Sequence, residues 1–154
     1  MRILSVWFAG LFLVIAGWSL TPNFGTAAED GRELVKLPTL MQEHMLANMR
    51  DHLVALDDVL GELADDNIDK AAEIVEKRLG MSSLSRHGAQ HLGKFMPKTM
   101  RAIGTQMHRA ASRFVIVARN AELDPGKASH RKVYGALQAI TENCNACHQA
   151  YRIR

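Results

Sequence analysis

Two cysteines and a histidine near the end of the chain form its most distinctive chemical group. They are Cys144, Cys147 and His148, in the order Cys-Asn-Ala-Cys-His, and the chain has no other cysteine. Thiols at positions i and i+3 of a helix lie on one face, where both can add across the two vinyl groups of a haem. The histidine that follows can present a ring nitrogen to the iron from the same side. The spacing therefore predicts covalent attachment of one haem c.

Three other kinds of site use the same residue types. A reactive dithiol needs its cysteines at a helix N-terminus, where the helix dipole lowers the thiol pKa, whereas these lie late in the last predicted helix. A zinc site needs four ligands, and none of the six histidines outside the motif has a paired spacing that points back to it. A disulfide between Cys144 and Cys147 would close a very small loop, so it would be an outcome of failed haem attachment rather than a staple. Haem attachment is the favoured interpretation.

The first 28 residues have the composition of a secretory signal. Arg2 precedes an apolar run over 3–20, and the small residues of 25–28 offer a cleavage site near Ala28. The alternative is an uncleaved membrane anchor, because the run is at the lower limit of what spans a bilayer. Cleavage predicts a mature haem-binding domain, 29–154, that is exported to the periplasm without stable membrane insertion.

The first helix of the mature chain is predicted over about 38–64. Asp65, Asp66 and Asn67 end it, and the same pattern leaves His44 and His52 outside its apolar face. That face consists of residues at steps of three or four: Met41, Met45, Met49, Leu53, Leu56, Leu60 and Leu63.

Three further helices follow from the same periodicity. One begins near Asp69, carries Ala72, Val75 and Leu79 inward and ends before Gly80. Another begins at Pro97, and the last covers about 129–153. The segment 82–96 has helical stretches interrupted by glycines. The seam of the last two helices comprises Met100, Ile103, Met107, Ala110, Phe114, Val117, Ala121, Val133, Leu137, Ile140, Cys144, Cys147 and Tyr151. Because strand signals are weak and connections are short, the chain is expected to be all-α, a four-helix up-and-down bundle behind its N-terminal signal segment.

Charge and composition exclude some functions. The 19 basic residues are interleaved with 16 acidic ones and the net charge is +3, which does not describe a nucleic-acid surface. No serine–histidine–acid arrangement or pair of carboxylates stands out, so no catalytic residue is assigned and the chain is not expected to be an enzyme.

The last helix resembles the class II cytochromes c, the cytochrome c′ group. The matching residues are Cys144, Cys147, His148, Tyr151 and Arg152, which follow the pattern Cys-x-x-Cys-His-x-x-Tyr-Arg. The resemblance implies two thioether attachment points at the cysteines and His148 as the proximal iron ligand. It also implies a haem between the first and last helices, and it raises the expectation of a homodimer.

The first helix decides the sixth coordination position in this family. Met45, followed by Asn48, resembles the low-spin members, in which a methionine completes the iron coordination. Met45 is therefore the expected distal ligand. Met41 and Met49 are the alternatives on the same stripe, and a third is that no protein residue binds there, since such stripes are usually core.

The chain departs from the family just before the distal position. Family members commonly carry an Arg-Gln pair there, with the arginine near a haem propionate, whereas this chain has Met41 and Gln42. Propionate contacts must therefore come from other residues, for which Arg50, Lys94 and Arg152 are candidates.

Two functions follow from the two distal arrangements. Ligation by His148 and Met45 favours single-electron transfer with redox partner proteins, because a methionine–histidine pair raises the reduction potential. A five-coordinate iron would instead bind a small gas such as nitric oxide or carbon monoxide.

Overall fold

Secondary structure is given by a computed structural model that describes residues 30–124 and 126–154. The predicted signal segment, residues 1–28, lies outside the described residues. Within the described part of the chain, no helix is both long enough and apolar enough to cross a membrane.

Helices make up most of the described chain. Their bounds are α1 Thr39–Ala64, α2 Ile68–Arg78, α3 Ala89–Leu92, α4 Lys98–Leu123 and α5 Lys127–Ala150, with a 3-10 turn at Met81–Ser83. The two strands are β1 Glu33–Val35 and β2 Tyr151–Ile153. The chain is all-α apart from this short sheet, as the helical periodicity predicts.

Prolines mark the starts of two long helices. Pro38 and Pro97 cap α1 and α4 with φ of −55° and −51°. Proline suits this position, since its fixed φ leads into the helix and the first turn needs no donor from it. The predicted starts at these residues are therefore confirmed to within one residue. Helix α2 begins at Ile68, one residue before the predicted Asp69.

The end of α5 differs from the sequence prediction. The helix ends at Ala150 rather than Ile153, because Tyr151–Ile153 pairs in parallel with Glu33–Val35. Further bonds from Leu37 N to Arg154 O and from Arg154 N to Val35 O, both 3.2 Å, extend the pairing. The backbone N–H and C=O groups of Tyr151–Ile153 are thus bonded to a strand that lies more than a hundred residues earlier in the chain.

Two apolar clusters form the interior. The larger is built by α2, α4, α5 and the second half of α1, and Phe114, Val75 and Ile140 are fully buried in it. The smaller is built around Met45, Val35 and Met100, beside the sheet. The most extensive helix pairings are α4 with α5, α1 with α2, and α2 with α4. The buried face predicted for α2 is confirmed, and the seam predicted for α4 is confirmed except for Ile103 and Val117, which are half-buried.

The predicted buried face of α1 was partly wrong. Leu53 and Leu60 are 69% and 54% exposed, whereas His52, expected outside the face, is only 8% exposed. The small residues Ala55 and Val59, both 0% exposed, face the core and let α2 pack closely. The leucines instead line an apolar groove of about 780 Å³ between α1 and α5.

An ion-pair cluster joins α2 to α1. The Arg78 guanidinium contacts Asp51 at 2.5 Å and Asp58 at 2.6 Å, and it donates a third bond of 3.1 Å to the Asp51 backbone oxygen. The hydrogen bond from Arg78 holds the pKa of Asp51 below its usual value. These bonds fix the position of the end of α2 along the axis of α1, next to Asp51 and Asp58.

Candidate functional site

A cavity of about 510 Å³ lies between α1, α4, α5 and the segment that connects α2 with α4. Its volume falls within the range of about 300–1,000 Å³ usual for ligand pockets, and its walls are mainly apolar. Helices α1 and α5 line both this cavity and the apolar groove that contains Leu53 and Leu60. Gly93 and Gly104 line the cavity, and a Cβ at Gly104 would meet nothing within 4 Å, so the α4 wall leaves open space there.

One wall comes from the end of α5. Cys147 and His148 line the cavity, and Cys147 also packs against the smaller apolar cluster. Cys144, one turn earlier, is half-buried against the edge of the larger cluster and does not line the cavity. The buried residues Val133, Leu137 and Ile140 dock α5 and carry its seam toward this end. The predicted motif therefore places two of its three residues at the cavity and the third beside it.

Both thiols are free, and they are poor nucleophiles at neutral pH. Burial raises the pKa of Cys144, which the neighbouring Cys147 raises further, and burial also raises the pKa of Cys147. A redox-active dithiol requires the opposite shift. The environment of the two cysteines thus disfavours disulfide chemistry.

Methionines of α1 form a further part of the cavity wall. Met45 is buried, at 7% exposure, and lines the cavity together with Met49. Met41 is half-buried and packs against the smaller cluster without lining the cavity. The structure therefore brings Met45 and Met49 to the same cavity as His148.

Three arginines stand at this cavity. Arg32, Arg101 and Arg152 line it, and Arg32 also donates a bond of 3.2 Å to the His148 backbone oxygen. Of the predicted propionate candidates, only Arg152 lines the cavity, and Arg50 and Lys94 are exposed residues elsewhere. Strand pairing explains the difference, because Arg152 lies in β2 and Arg32 directly precedes β1, so the pairing of the two strands brings both arginines to the same end of the sheet.

Three buried histidines from separate segments meet at the cavity. The ring centroids of His52 and His87 are 4.6 Å apart, and His108 lies 5.9 and 5.3 Å from them. His108 Nδ1 donates to Leu79 O at 2.7 Å. The Nε2 atoms of His52 and His87 are buried without a hydrogen-bond partner, a costly condition for a polar group. Sequence spacing gave no sign of this histidine cluster, since its members lie on α1, the α2–α4 connection and α4.

The histidine cluster is neutral at physiological pH. Burial lowers the pKa of His52 to about 4, and the adjacent His87 and His108 lower it further. Burial and His108 likewise lower the pKa of His87 to about 4, and burial lowers the pKa of His108. Across residues 30–124 and 126–154, no group of three or more His, Cys, Asp or Glu side chains is arranged to hold a metal ion. The cluster is thus a neutral polar patch in the cavity wall.

Gly88 shapes the connection that carries His87. Its φ is +62°, and a Cβ there would lie 3.0 Å from His44 Nε2. We therefore expect Gly88→Ala to lower the free energy of unfolding by about 1–3 kcal/mol, as measured by urea denaturation. Gly61→Ala is the matched control, because a Cβ at Gly61 meets nothing within 4 Å in a helix. It should stabilise by about 0.5–1 kcal/mol, and equal effects of the two substitutions would refute the strain argument.

Comparisons of this chain with protein-family models, with curated proteins and with solved structures gave no match.

Proposed function

We propose that this chain is an exported c-type cytochrome of the class II kind, a four-helix up-and-down bundle that carries one haem c and transfers single electrons. The observation that carries the proposal is the joint presence of Cys147, His148 and Met45 at one apolar cavity between the first and last long helices. Cys144 lies one helical turn before Cys147 in α5. The resemblance of the C-terminal motif to class II cytochromes c adds Tyr151 and Arg152.

The donor set fits a haem. Two free, protonated thiols are the groups that add to vinyls, with each sulfur bonding to carbon and each proton passing to the neighbouring carbon. His148 supplies an imidazole one residue later, and its 100° offset from Cys147 puts both beside the cavity. Met45 would supply a thioether from α1. When bound, the haem supplies one iron that gains and loses a single electron.

The chain contributes burial, orientation and charge. The apolar walls around Met45 and Met100 lower the local dielectric, which tunes a reduction potential. Arg32, Arg101 and Arg152 are placed to bind the haem propionates by charge-assisted hydrogen bonds. The Tyr151 and Thr99 hydroxyls are hydrogen-bonded to each other, which ties the segment after α5 to the start of α4 beside His148.

A redox titration of the purified holoprotein tests this function. We expect one reversible one-electron wave, with a potential raised by the methionine–histidine ligation. A protein without haem, or an iron that does not reduce reversibly, would contradict the proposal. Periplasmic location, redox partner proteins and a homodimer stay predictions.

Gas binding is the second candidate, and the histidine cluster is the observation in its favour. The unpartnered Nε2 atoms of His52 and His87 stand at the cavity, where they could hydrogen-bond a small ligand. This function needs an iron without a distal protein ligand. Carbon monoxide distinguishes the two candidates, because it binds rapidly only to such an iron.

Met45→Ala tests the distal ligand directly. We expect the ferric spectrum to change from low-spin to high-spin and the ferrous protein to bind carbon monoxide, because the substitution removes the thioether. Met41→Ala is the control, since Met41 does not line the cavity, and it should stay low-spin. A low-spin Met45→Ala protein would show that Met45 is not the ligand, and Met49→Ala would then be the next variant.

A further inference from the structure

One backbone oxygen of the α2–α4 connection receives two side-chain hydrogen bonds from α1. His44 Nε2 donates to His87 O at 3.0 Å, and Asn48 Nδ2 donates to the same oxygen at 3.0 Å. Residues 44 and 48 are one helical turn apart and lie on the same face. A single carbonyl therefore holds both ends of one turn of α1.

The held turn is the one that carries the methionine stripe. Met45 follows His44 by one residue and Met49 follows Asn48 by one, so the stripe lies about 100° around the helix from the two donors. Rotation of α1 about its axis would move both methionines relative to the cavity. The two hydrogen bonds oppose that rotation, because each donor would leave His87 O.

The position of His87 O is itself well determined. Gly88 takes the left-handed conformation, and its N donates to Ser85 O at 3.2 Å. His87 N donates to Ser83 O at 3.1 Å, and Ser83 Oγ donates to Gly80 O at 2.7 Å. The His87 carbonyl thus belongs to a hydrogen-bonded turn, so its position is fixed and it can hold α1 in one rotational position.

We propose that His44 and Asn48 are positioning residues for the distal side of the haem site: their shared bonds to His87 O fix the rotation of α1 and direct Met45 into the cavity. This inference rests on the proposed function. His44 does not line the cavity, so it acts through Met45. Asn48 does line the cavity, but its amide nitrogen is bonded to His87 O, and the Met45→Ala background separates its effect on Met45 from any direct effect on the site.

Leucine substitutions test the positioning role in the holoprotein. Asn48→Leu and His44→Leu keep side-chain bulk and remove one donor each, whereas His44→Gln keeps an N–H near the position of Nε2. We expect each leucine variant to shift the equilibrium from methionine-bound to methionine-free iron by about fivefold, the factor that one ordinary hydrogen bond supplies. The readouts are the high-spin fraction of the ferric protein and the extent of carbon monoxide binding by the ferrous protein. His44→Gln should remain close to wild type.

Two controls separate positioning from loss of stability. Asn67→Leu removes another amide donor, which bonds Glu62 Oε2 at 3.0 Å near the far end of α1, and it should leave the spin state unchanged. In a Met45→Ala background, Asn48→Leu should cause no further spectral change. Urea denaturation of every variant reports stability independently of the spectrum.

Each outcome has a definite meaning. If the wild type is low-spin and Asn48→Leu and His44→Leu do not alter its spectrum, the positioning role is wrong and the proposed function stands. If Asn67→Leu alters the spectrum as much as Asn48→Leu does, the effect is general loosening and the positioning role is again wrong. A wild type that is high-spin from the start contradicts methionine ligation itself, and the positioning role falls with it.

Discussion

Substitution of both Cys144 and Cys147 by alanine should abolish covalent haem attachment completely. No other cysteine is present to form a thioether, so the loss cannot be compensated within the chain. Each single substitution should leave one thioether and a lower yield of haem-bearing protein. The measurement is the intact mass of the purified protein, with haem staining after denaturing electrophoresis.

The matched control for the cysteine variants is Asn145→Ala. Asn145 is exposed and lies between the cysteines, so the substitution preserves their spacing to each other and to His148. It should retain one covalent haem. A haem-sized mass increase in the double alanine variant would show that attachment does not use these thiols, and no increase in the wild type would refute attachment altogether.

Acidification should destabilise the holoprotein through the histidine cluster. The pKa values of His52 and His87 are about 4 in the folded chain and 6.5 as ordinary imidazoles, so the unfolded chain binds more protons between these values. Stability is therefore fully present above about pH 6.5 and falls as the pH decreases toward about 4. From about pH 7 to about pH 4.5, the loss is about 2 kcal/mol for each of the two imidazoles.

Urea denaturation at the two pH values measures this loss. His52→Gln removes one titrating ring and should reduce the loss by about 2 kcal/mol, whereas His91→Gln, an exposed position, should leave it unchanged. Asp51 does not confuse the comparison, because its pKa lies below 3.8 and its contribution is lost only at lower pH. Equal pH dependence in the wild type and His52→Gln would contradict the assigned role of the cluster.

Helical periodicity predicts most of the fold, because burial of one face repeats along each helix. It places Ala72, Val75 and Leu79 inward on α2, and Phe114 on α4, as the structure has them. On α1 the predicted buried face is partly wrong, because it was assigned from the large apolar side chains, and two of these leucines line an open groove. The signal for the true face was the small pair Ala55 and Val59, whose burial depends on how closely another helix approaches.

Features that depend on contacts between distant parts of the chain could not be predicted from the sequence. Tyr151–Ile153 continues a helical pattern, and only its pairing with Glu33–Val35 turns it into a strand. The same pairing brings Arg32 to the cavity, so no local signal marked that residue. The cavity residues Cys147, His148 and Met45 could be predicted, because a short motif and a resemblance identify them without long-range geometry.

The absorption spectrum of the purified wild-type protein tests the ligation of the haem most directly. We expect a low-spin ferric spectrum with a methionine-to-iron charge-transfer band at the red end, and a ferrous spectrum that carbon monoxide does not change. A high-spin spectrum that shifts with carbon monoxide would contradict ligation by Met45 and favour gas binding. A protein that shows no haem absorption at all would contradict the account as a whole.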